Sequence, residues 1–501
     1  MTVDPTAVTA SPGSPGGVSR DSHGYSAKRI WTTRIAVPVL VAGCVGIMFL
    51  DAPSEVVGVG GIGLLIVLMF IKVPVAAALS VSGLLGLYAL RGERAVANVM
   101  ASIPYDAVAS WTLSVLPMFV LMGLLLWRSG ISNKIYVAAR HWLGWLPGGL
   151  AIGTNAAGAG MAAVSGSTLG TTYALARIGI PEMLNAGYHR RLAVGSIVVA
   201  GLGGQLIPPS IMLVIYAGIA EVPVGPQLIA GIGPGLLLAA CFGITILALC
   251  LARPAISGRG SGAAAIVSSW TERLLSAARI WPVPVLITVV LGSMFAGVLT
   301  ATEAGAAGAF GAVLLALWYK RADKPIGAVR AAATDTVRVI GAILFIIVGA
   351  YIFARLLAVS GVAAGFSDWV ADVGLGRVEF LLLMMVAYLV MGMFMDPLSM
   401  MLLTVPLLIP TLETLDISLL WFGVFAVLMA ELAVITPPVG ILAFIIHSIT
   451  ADPEVNLGQR ITLGDVFRAI GWFLPVAIAF ILILIAYPDI ATTLPDLMMD
   501  G

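Results

Sequence analysis

A pair of adjacent prolines interrupts an apolar helix twice in this chain, in the same polar setting: Gly204-Gln205-Leu206-Ile207-Pro208-Pro209-Ser210 and Val434-Ile435-Thr436-Pro437-Pro438-Val439-Gly440. The offset is 437 − 208 = 229 residues, and Pro181 after Ile180 answers Pro410 after Ile409 at 410 − 181 = 229. One fold unit has been used twice. Each pair lacks two amide protons, so a helix cannot continue through it and nearby carbonyls are freed. Breaks at matching places in two halves of an apolar chain point to a secondary transporter whose ligand lies where unwound backbone meets at mid-membrane.

The 501 residues are 60% apolar and 10% charged, with a net charge of +1, and the mean hydropathy is +1.06. That excludes a soluble globular protein. Apolar stretches of about 17 to 25 residues alternate with polar loops, so the class is an all-α polytopic membrane protein embedded in a lipid bilayer. Cys44, Cys241 and Cys250 lie in apolar stretches without metal-ligand spacing and read as small packing residues. His23, His141, His189 and His447 are scattered, which supports no zinc or redox-metal site. The string Gly58-Val59-Gly60-Gly61-Ile62-Gly63 has the letters of a dinucleotide-binding pattern, but no strand precedes it and no acidic residue follows about twenty positions on. Walker, Gly-x-Ser-x-Gly and HExxH motifs are absent, so nothing marks an enzyme, a cofactor or a nucleic-acid partner. Transport must run on gradients.

Residues 1–32 read as a disordered cytoplasmic tail, and 33–55 as an extra N-terminal transmembrane helix preceded by Arg20, Lys28 and Arg29. The first repeat covers 56–252. It has spans at about 56–71, 74–90 and 111–128, with a loop carrying Arg91, Glu93, Arg94 and Asp106 between the second and third. An interfacial arm follows at about 131–146. A re-entrant hairpin at about 148–181 has the small polar tip Ser165-Gly166-Ser167-Thr168, and a broken helix follows at about 192–220. A basic cytoplasmic linker, 253–280, separates the halves. The second repeat, 281–488, has a basic loop with Lys320, Arg321, Lys324, Arg330 and Arg338 before a span at about 339–357, then an arm near 359–378. Its hairpin at about 379–413 has Met395-Asp396-Pro397 at the tip, its broken helix runs from about 418 to 449, and 489–501 forms a periplasmic tail. The Lys and Arg pattern places the N-terminus in the cytoplasm and makes the repeats inverted.

A sodium ion needs several oxygens, which hydroxyls and carbonyls at a tip apposed to a break can supply. The candidate substrate- and ion-binding residues are Ser165, Gly166, Ser167, Thr168, Gly204, Pro208, Pro209, Ser210, Gly392, Asp396, Glu431, Thr436, Pro437, Pro438 and Gly440, with Na+ held near Ser165, Ser167, Ser210, Asp396 and Thr436. Half-helices starting beyond each break point positive ends inward, where a substrate carboxylate could be held. Against this, any one Gly, Ser or Thr could simply allow close helix packing. Asp396 could bind a cation or cap a helix starting at Pro397. Glu303 reads as a helix N-terminal partner, Glu431 is undecided, and Arg177 and Arg355 read as snorkelling side chains rather than carboxylate contacts.

The run Leu143 to Gly149, the tip Val164 to Ser167, Ile180 to Met183 with Gly187-Tyr188, Ile207 to Ile211, Leu299 to Ala304, Gly392 to Pro397 and Thr436 to Gly440 together resemble the large membrane subunit of tripartite ATP-independent periplasmic (TRAP) transporters, over about residues 60–488. The resemblance implies an elevator-type fold of the ion-transporter superfamily in a bacterial inner membrane. It also implies sodium-coupled import of an organic acid (dicarboxylate, sialic acid or similar), a small four-helix membrane subunit and a periplasmic substrate-binding protein. The chain departs from the family pattern at Gly201, Leu202 and Gln205, where hydroxyl residues and a proline are usual, and at Met429, where asparagine is common. Two other readings stand beside this one: a single-component sodium:dicarboxylate symporter, and a passive channel in which the repeat only packs helices.

Overall fold

In this computed structural model the described residues are 27–50, 53–258, 268–321, 324–437 and 440–499, with the side chains of 27–36, 164, 165 and 499 set aside. The residues assigned to a disordered tail fall mostly outside them, and helix already begins at Ala27.

All described regular structure is helical, in chain order. Helix α1 (Ala27–Met48) stands before the repeats. The first repeat begins with α2 (Ser54–Phe70), α3 (Val75–Arg91), α4 (Glu93–Val108), α5 (Val115–Arg128) and the arm α6 (Ile131–Leu143). Hairpin halves α7 (Gly149–Ser165) and α8 (Thr168–Asn185) follow, then broken-helix halves α9 (Arg190–Ala200) and α10 (Ile211–Ile219), and α11 (Val224–Ala230) with α12 (Ile232–Ala252). A linker helix, α13 (Trp270–Ile280), leads into α14 (Pro282–Phe295), α15 (Ala301–Tyr319), α16 (Pro325–Ser360) and the second arm α17 (Val362–Val373). The second hairpin is α18 (Arg377–Met391) and α19 (Pro397–Thr414), and the second broken helix is α20 (Leu419–Ala433) and α21 (Ile441–Ile449). The chain closes with α22 (Pro453–Asn456), α23 (Leu463–Ala486) and α24 (Asp489–Met499). The duplication holds element by element: α19 begins 397 − 168 = 229 residues after α8, and α20 begins 419 − 190 = 229 after α9.

Local chemistry explains most boundaries. The arms open after left-handed glycines, Gly130 (φ 81°) and Gly361 (φ 77°), 361 − 130 = 231 residues apart, a conformation glycine adopts without a Cβ penalty. Capping boxes start α13 (Ser269 with Glu272), α15 (Thr300 with Glu303) and α23 (Thr462 with Asp465). Three stretches differ from the sequence reading. The loop after α3 is the helix α4, with Glu93 in its first turn, bent by 47° from the segment ending in α5. The basic loop after Lys324 and the span beyond it form one helix of 36 residues, α16. Between Pro325 at its start and Gly361 beyond its end it contains no proline, so nothing stops it, and at about 54 Å it outruns a hydrocarbon core of about 30 Å. The terminal tail is helical in α24, which packs on α11 and α12.

Two packed bodies result. Helices α2, α3, α5, α14, α15 and α16 form one bundle. The hairpins wrap the broken helices in the other, whose centre is α20: every residue from Trp421 to Ala433 is buried. Large apolar side chains such as Val39, Ile244, Phe345 and Val386 are exposed at the periphery, as expected of lipid-facing surface. Among the described residues five helices are long and apolar enough to cross a membrane, or seven if each bent pair counts as one.

Candidate transport site

The first hairpin turns in two residues. Ser165 ends α7, though its side chain lies outside the described set, and Gly166 takes φ 62° to bond its N–H to Ala162 O at 2.8 Å. Ser167 caps α8 by accepting from Gly170 N at 3.2 Å. The tip then touches the first break: a Cβ on Gly166 would lie 2.9 Å from Ile211 Cδ1, and one on Gly201 would lie 2.9 Å from Thr168 Cγ2.

The first break is a short turn, Gly203–Gln205, followed by Pro208-Pro209 and then Ser210, which caps α10 by accepting from Leu213 N at 3.3 Å. Pro209 has no N–H to offer Gln205 O, so that carbonyl loses its helical donor. Gly204 lies against α7, where a Cβ would come within 2.4 Å of Ala162 Cβ and 2.6 Å of Ala159 O. Gln205 is 3% exposed, and its Oε1 has no hydrogen-bond partner among the described residues.

The decisive contact joins the repeats. Thr168 Oγ1, on the first residue of α8, donates to Glu431 Oε2 on the last turn of α20 at 2.7 Å, and both side chains are buried. A carboxyl group thus sits beside the positive end of a half-helix, the position expected for a bound anion. Two residues further along α20, Ala433 meets Gly392 of the second hairpin so closely that a Cβ on the glycine would lie 1.9 Å from that of Ala433. Contacts therefore run from the first tip through Glu431 to the second hairpin.

The remaining candidates are used locally. Asp396 caps α19, accepting from Leu398 N and Ser399 N at 3.1 Å and from the Ser399 hydroxyl. Of its two expected roles this is the capping one. Thr436 donates to Leu432 O at 2.8 Å, Pro437 lies in the second break, and Gly440 opens α21 with φ 50°. Pro438 lies outside the described residues. Arg177 pairs with Asp452 at 3.5 Å, and Glu303 closes its capping box with Thr300.

Sequence reasoning missed the attachment of the first arm. Tyr136 OH donates to Glu182 Oε2 at 2.6 Å, and Arg140 pairs with the same carboxylate, so α6 is held to the far end of α8. The spacing of Tyr136 and Arg140, one helical turn apart, was the available signal. Ser367 and Thr414, 3.2 Å apart, join the second arm to its hairpin at the corresponding place.

The description "Tripartite ATP-independent periplasmic transporter, DctM component" matches residues 62–490 of this chain, a span that includes both hairpins and both breaks. The chain belongs to the DctM family. It is a membrane permease component, not an enzyme. It is 31% identical over 398 residues to the C4-dicarboxylate TRAP transporter large permease protein DctM of Pseudomonas aeruginosa, covering 78% of this chain and 88% of the relative. It is 30% identical over 441 residues to the ectoine TRAP transporter large permease protein TeaC of Halomonas elongata, covering 86% and 97%. Among solved structures, the YdaH transporter of Alcanivorax borkumensis superposes with a TM-score of 0.58 at 15% identity, covering 80% of this chain and 90% of that one, which is a likeness of fold.

Proposed function

We propose that this chain is the large permease subunit of a sodium-coupled transporter that imports a small organic acid by an elevator movement, in which the hairpin body travels past the bundle of α2, α3, α5, α14, α15 and α16. The observation that carries the reading is the buried Thr168–Glu431 bond, which ties the tip of one repeat to the break of the other. A substrate carboxylate would lie at the positive end of α10, that of α8 being taken by Glu431, and sodium at the carbonyls freed by the proline pairs, with Gln205 Oε1 as a further oxygen. Relatives named for C4-dicarboxylates and for ectoine, both carrying a carboxylate, support the substrate class.

The tripartite family description supports two partners, a small membrane subunit and a periplasmic binding protein that delivers the solute. The Lys and Arg distribution supports a cytoplasmic N-terminus and inverted repeats, and the family description supports residence in a bacterial inner membrane. Coupling requires that sodium distinguish the substrate-competent state, since a ligand shifts only equilibria it discriminates. The test is uptake of radiolabelled organic acids into proteoliposomes holding this chain and its small subunit, with and without binding protein and an inward sodium gradient. Uptake that needs both additions is expected. Uptake with sodium but no binding protein would make this a single-component symporter, and sodium-independent flux would make it a channel.

A further inference from the structure

Beyond the transport site, a cavity of about 260 Å³ opens between the first arm and the linker helix, walled by Asn133, Lys134 and Val137 of α6 and by Ser276 and Arg279 of α13. That is several times the roughly 30 Å³ of one water. The Tyr319 ring joins the two walls: Lys134 Nζ lies 3.7 Å from its centroid, and its hydroxyl donates to the backbone carbonyl of Arg279 at 3.1 Å. Neither Lys134 nor Arg279 joins an ion pair among the described residues. Helix α6 carries no acidic residue, and the one on α13, Glu272, is committed to its capping box with Ser269. Burial and then the Arg279 charge hold Lys134 below its ordinary pKa, as expected of a cation lacking an anionic partner.

The surroundings fix the depth of this cavity. Trp145, Trp270, Trp281 and Trp318 are exposed on the neighbouring elements, at 53%, 68%, 48% and 50%. Indole rings gather at the membrane–water interface. Helix α13 is amphipathic and bends by 47° into α14, which enters the apolar layer. The cavity therefore lies at headgroup level on the face that carries Arg128, Arg140, Arg273 and Lys320.

We propose that this cavity binds the phosphodiester headgroup of an anionic phospholipid, with Lys134 and Arg279 on the phosphate oxygens and Asn133 at its rim. Basic pockets between helices at this depth favour anionic headgroups, and guanidinium and ammonium groups suit phosphate oxygens. One wall, α6, is fastened to the first hairpin through Glu182, and the other leads into the bundle. The headgroup would thus bridge the two bodies.

The test is native mass spectrometry of the full chain titrated with phosphatidylglycerol or phosphatidylcholine, alongside a Lys134→Gln/Arg279→Gln double variant and a Lys134→Arg/Arg279→Lys exchange. Selective binding of phosphatidylglycerol is expected, about 30-fold weaker in the neutralised variant and retained in the exchanged one. Unchanged thermal unfolding of both variants in phosphatidylcholine nanodiscs would show that the fold is intact. Equal binding of the two lipids, or unchanged phosphatidylglycerol binding in the neutralised variant, would overturn the assignment. Displacement of phosphatidylglycerol by equimolar inorganic phosphate would also overturn it, by identifying a soluble anion as the ligand.

Discussion

Replacing Gly392 by alanine tests whether the hairpins are pressed onto the broken helices as closely as the structure shows. The new Cβ would lie 1.9 Å from Ala433 Cβ and 2.9 Å from Ala433 Cα. Carbon atoms rest about 3.5 Å apart or more, so α18 and α20 must separate by roughly 1.6 Å. Ala433 cannot retreat, because the turn of α20 that carries it is fully buried. Overpacking of this kind costs about 1 to 3 kcal/mol. A displacement of that size would also move Glu431, two residues away, relative to Thr168, so transport should fall along with stability.

The control is Ala433→Gly, which removes the other methyl. Alone it should cost no more than about 1 kcal/mol, the usual penalty for glycine in a helix. Combined with Gly392→Ala it should restore part of the lost thermal stability and uptake, since the new Cβ still lies 2.9 Å from the Cα of residue 433, giving a favourable coupling of about 1 kcal/mol or more in a double-mutant cycle. Detergent melting curves and proteoliposome uptake measure both quantities. If Gly392→Ala melts like the parent, or if adding Ala433→Gly brings no recovery at all, the close approach is wrong. In the first repeat Gly204→Ala meets both Ala162 Cβ at 2.4 Å and the backbone oxygen of Ala159 at 2.6 Å, a tighter backbone contact, so Ala162→Gly should rescue it less.

Thr168→Val leaves the buried Glu431 carboxyl without its hydroxyl donor and should cost about 1 to 3 kcal/mol, whereas Thr168→Ser should retain most uptake; equal behaviour of the two in melting and uptake would deny the bond any weight. Asp396→Ala should lose about 1 kcal/mol of capping, while Asp396→Asn keeps an acceptor and should leave sodium activation unchanged; a several-fold rise in sodium half-saturation in the asparagine variant would return the carboxylate to an ion site. At the foot of α9, burial first, then Arg191 and Arg190, hold the His189 imidazole below its ordinary pKa of 6.5. The unfolded chain takes up that proton first, so this contribution to stability is intact above the ordinary value and declines as pH falls through it toward the lower folded value. Melting temperature should therefore fall as pH is lowered through the ordinary value of 6.5, and His189→Gln should flatten that slope; an unaltered slope would remove His189 as its source.

The architecture was legible wherever a residue type has only one backbone use. Proline pairs stop helices and recur at a constant offset, so hairpins and breaks could be placed from the chain alone, and the mix of charges and tryptophans with apolar residues marked the arms; the left-handed glycines that open them came with the structure. Helix α4 and the first turns of α16 were hidden because charged residues in a membrane chain suggest loops, although a helix tolerates them when it leaves the bilayer. Asp335 on α16 pairs with Arg128 of α5 there, so this charge is a structural partner. Within the site, Thr168 and Glu431 were each visible as candidates, but not their bond. They are 263 residues apart, and the repeat gave no hint, because the position 431 − 229 = 202 holds Leu202.

The same limit explains the closest packing. Ala433 stands at the offset of Gly204, 433 − 204 = 229. In the first repeat the glycine is on the break and the alanine, Ala162, is on the hairpin; in the second the glycine, Gly392, is on the hairpin and the alanine is on the break. Each interface needs one methyl fewer than two alanines would bring, and either partner can omit it. What the duplication preserves here is therefore a volume shared by two helices, not a residue at a position. A comparison of the halves by identity passes over it, whereas a comparison by summed side-chain size across the hairpin–break contact brings it out.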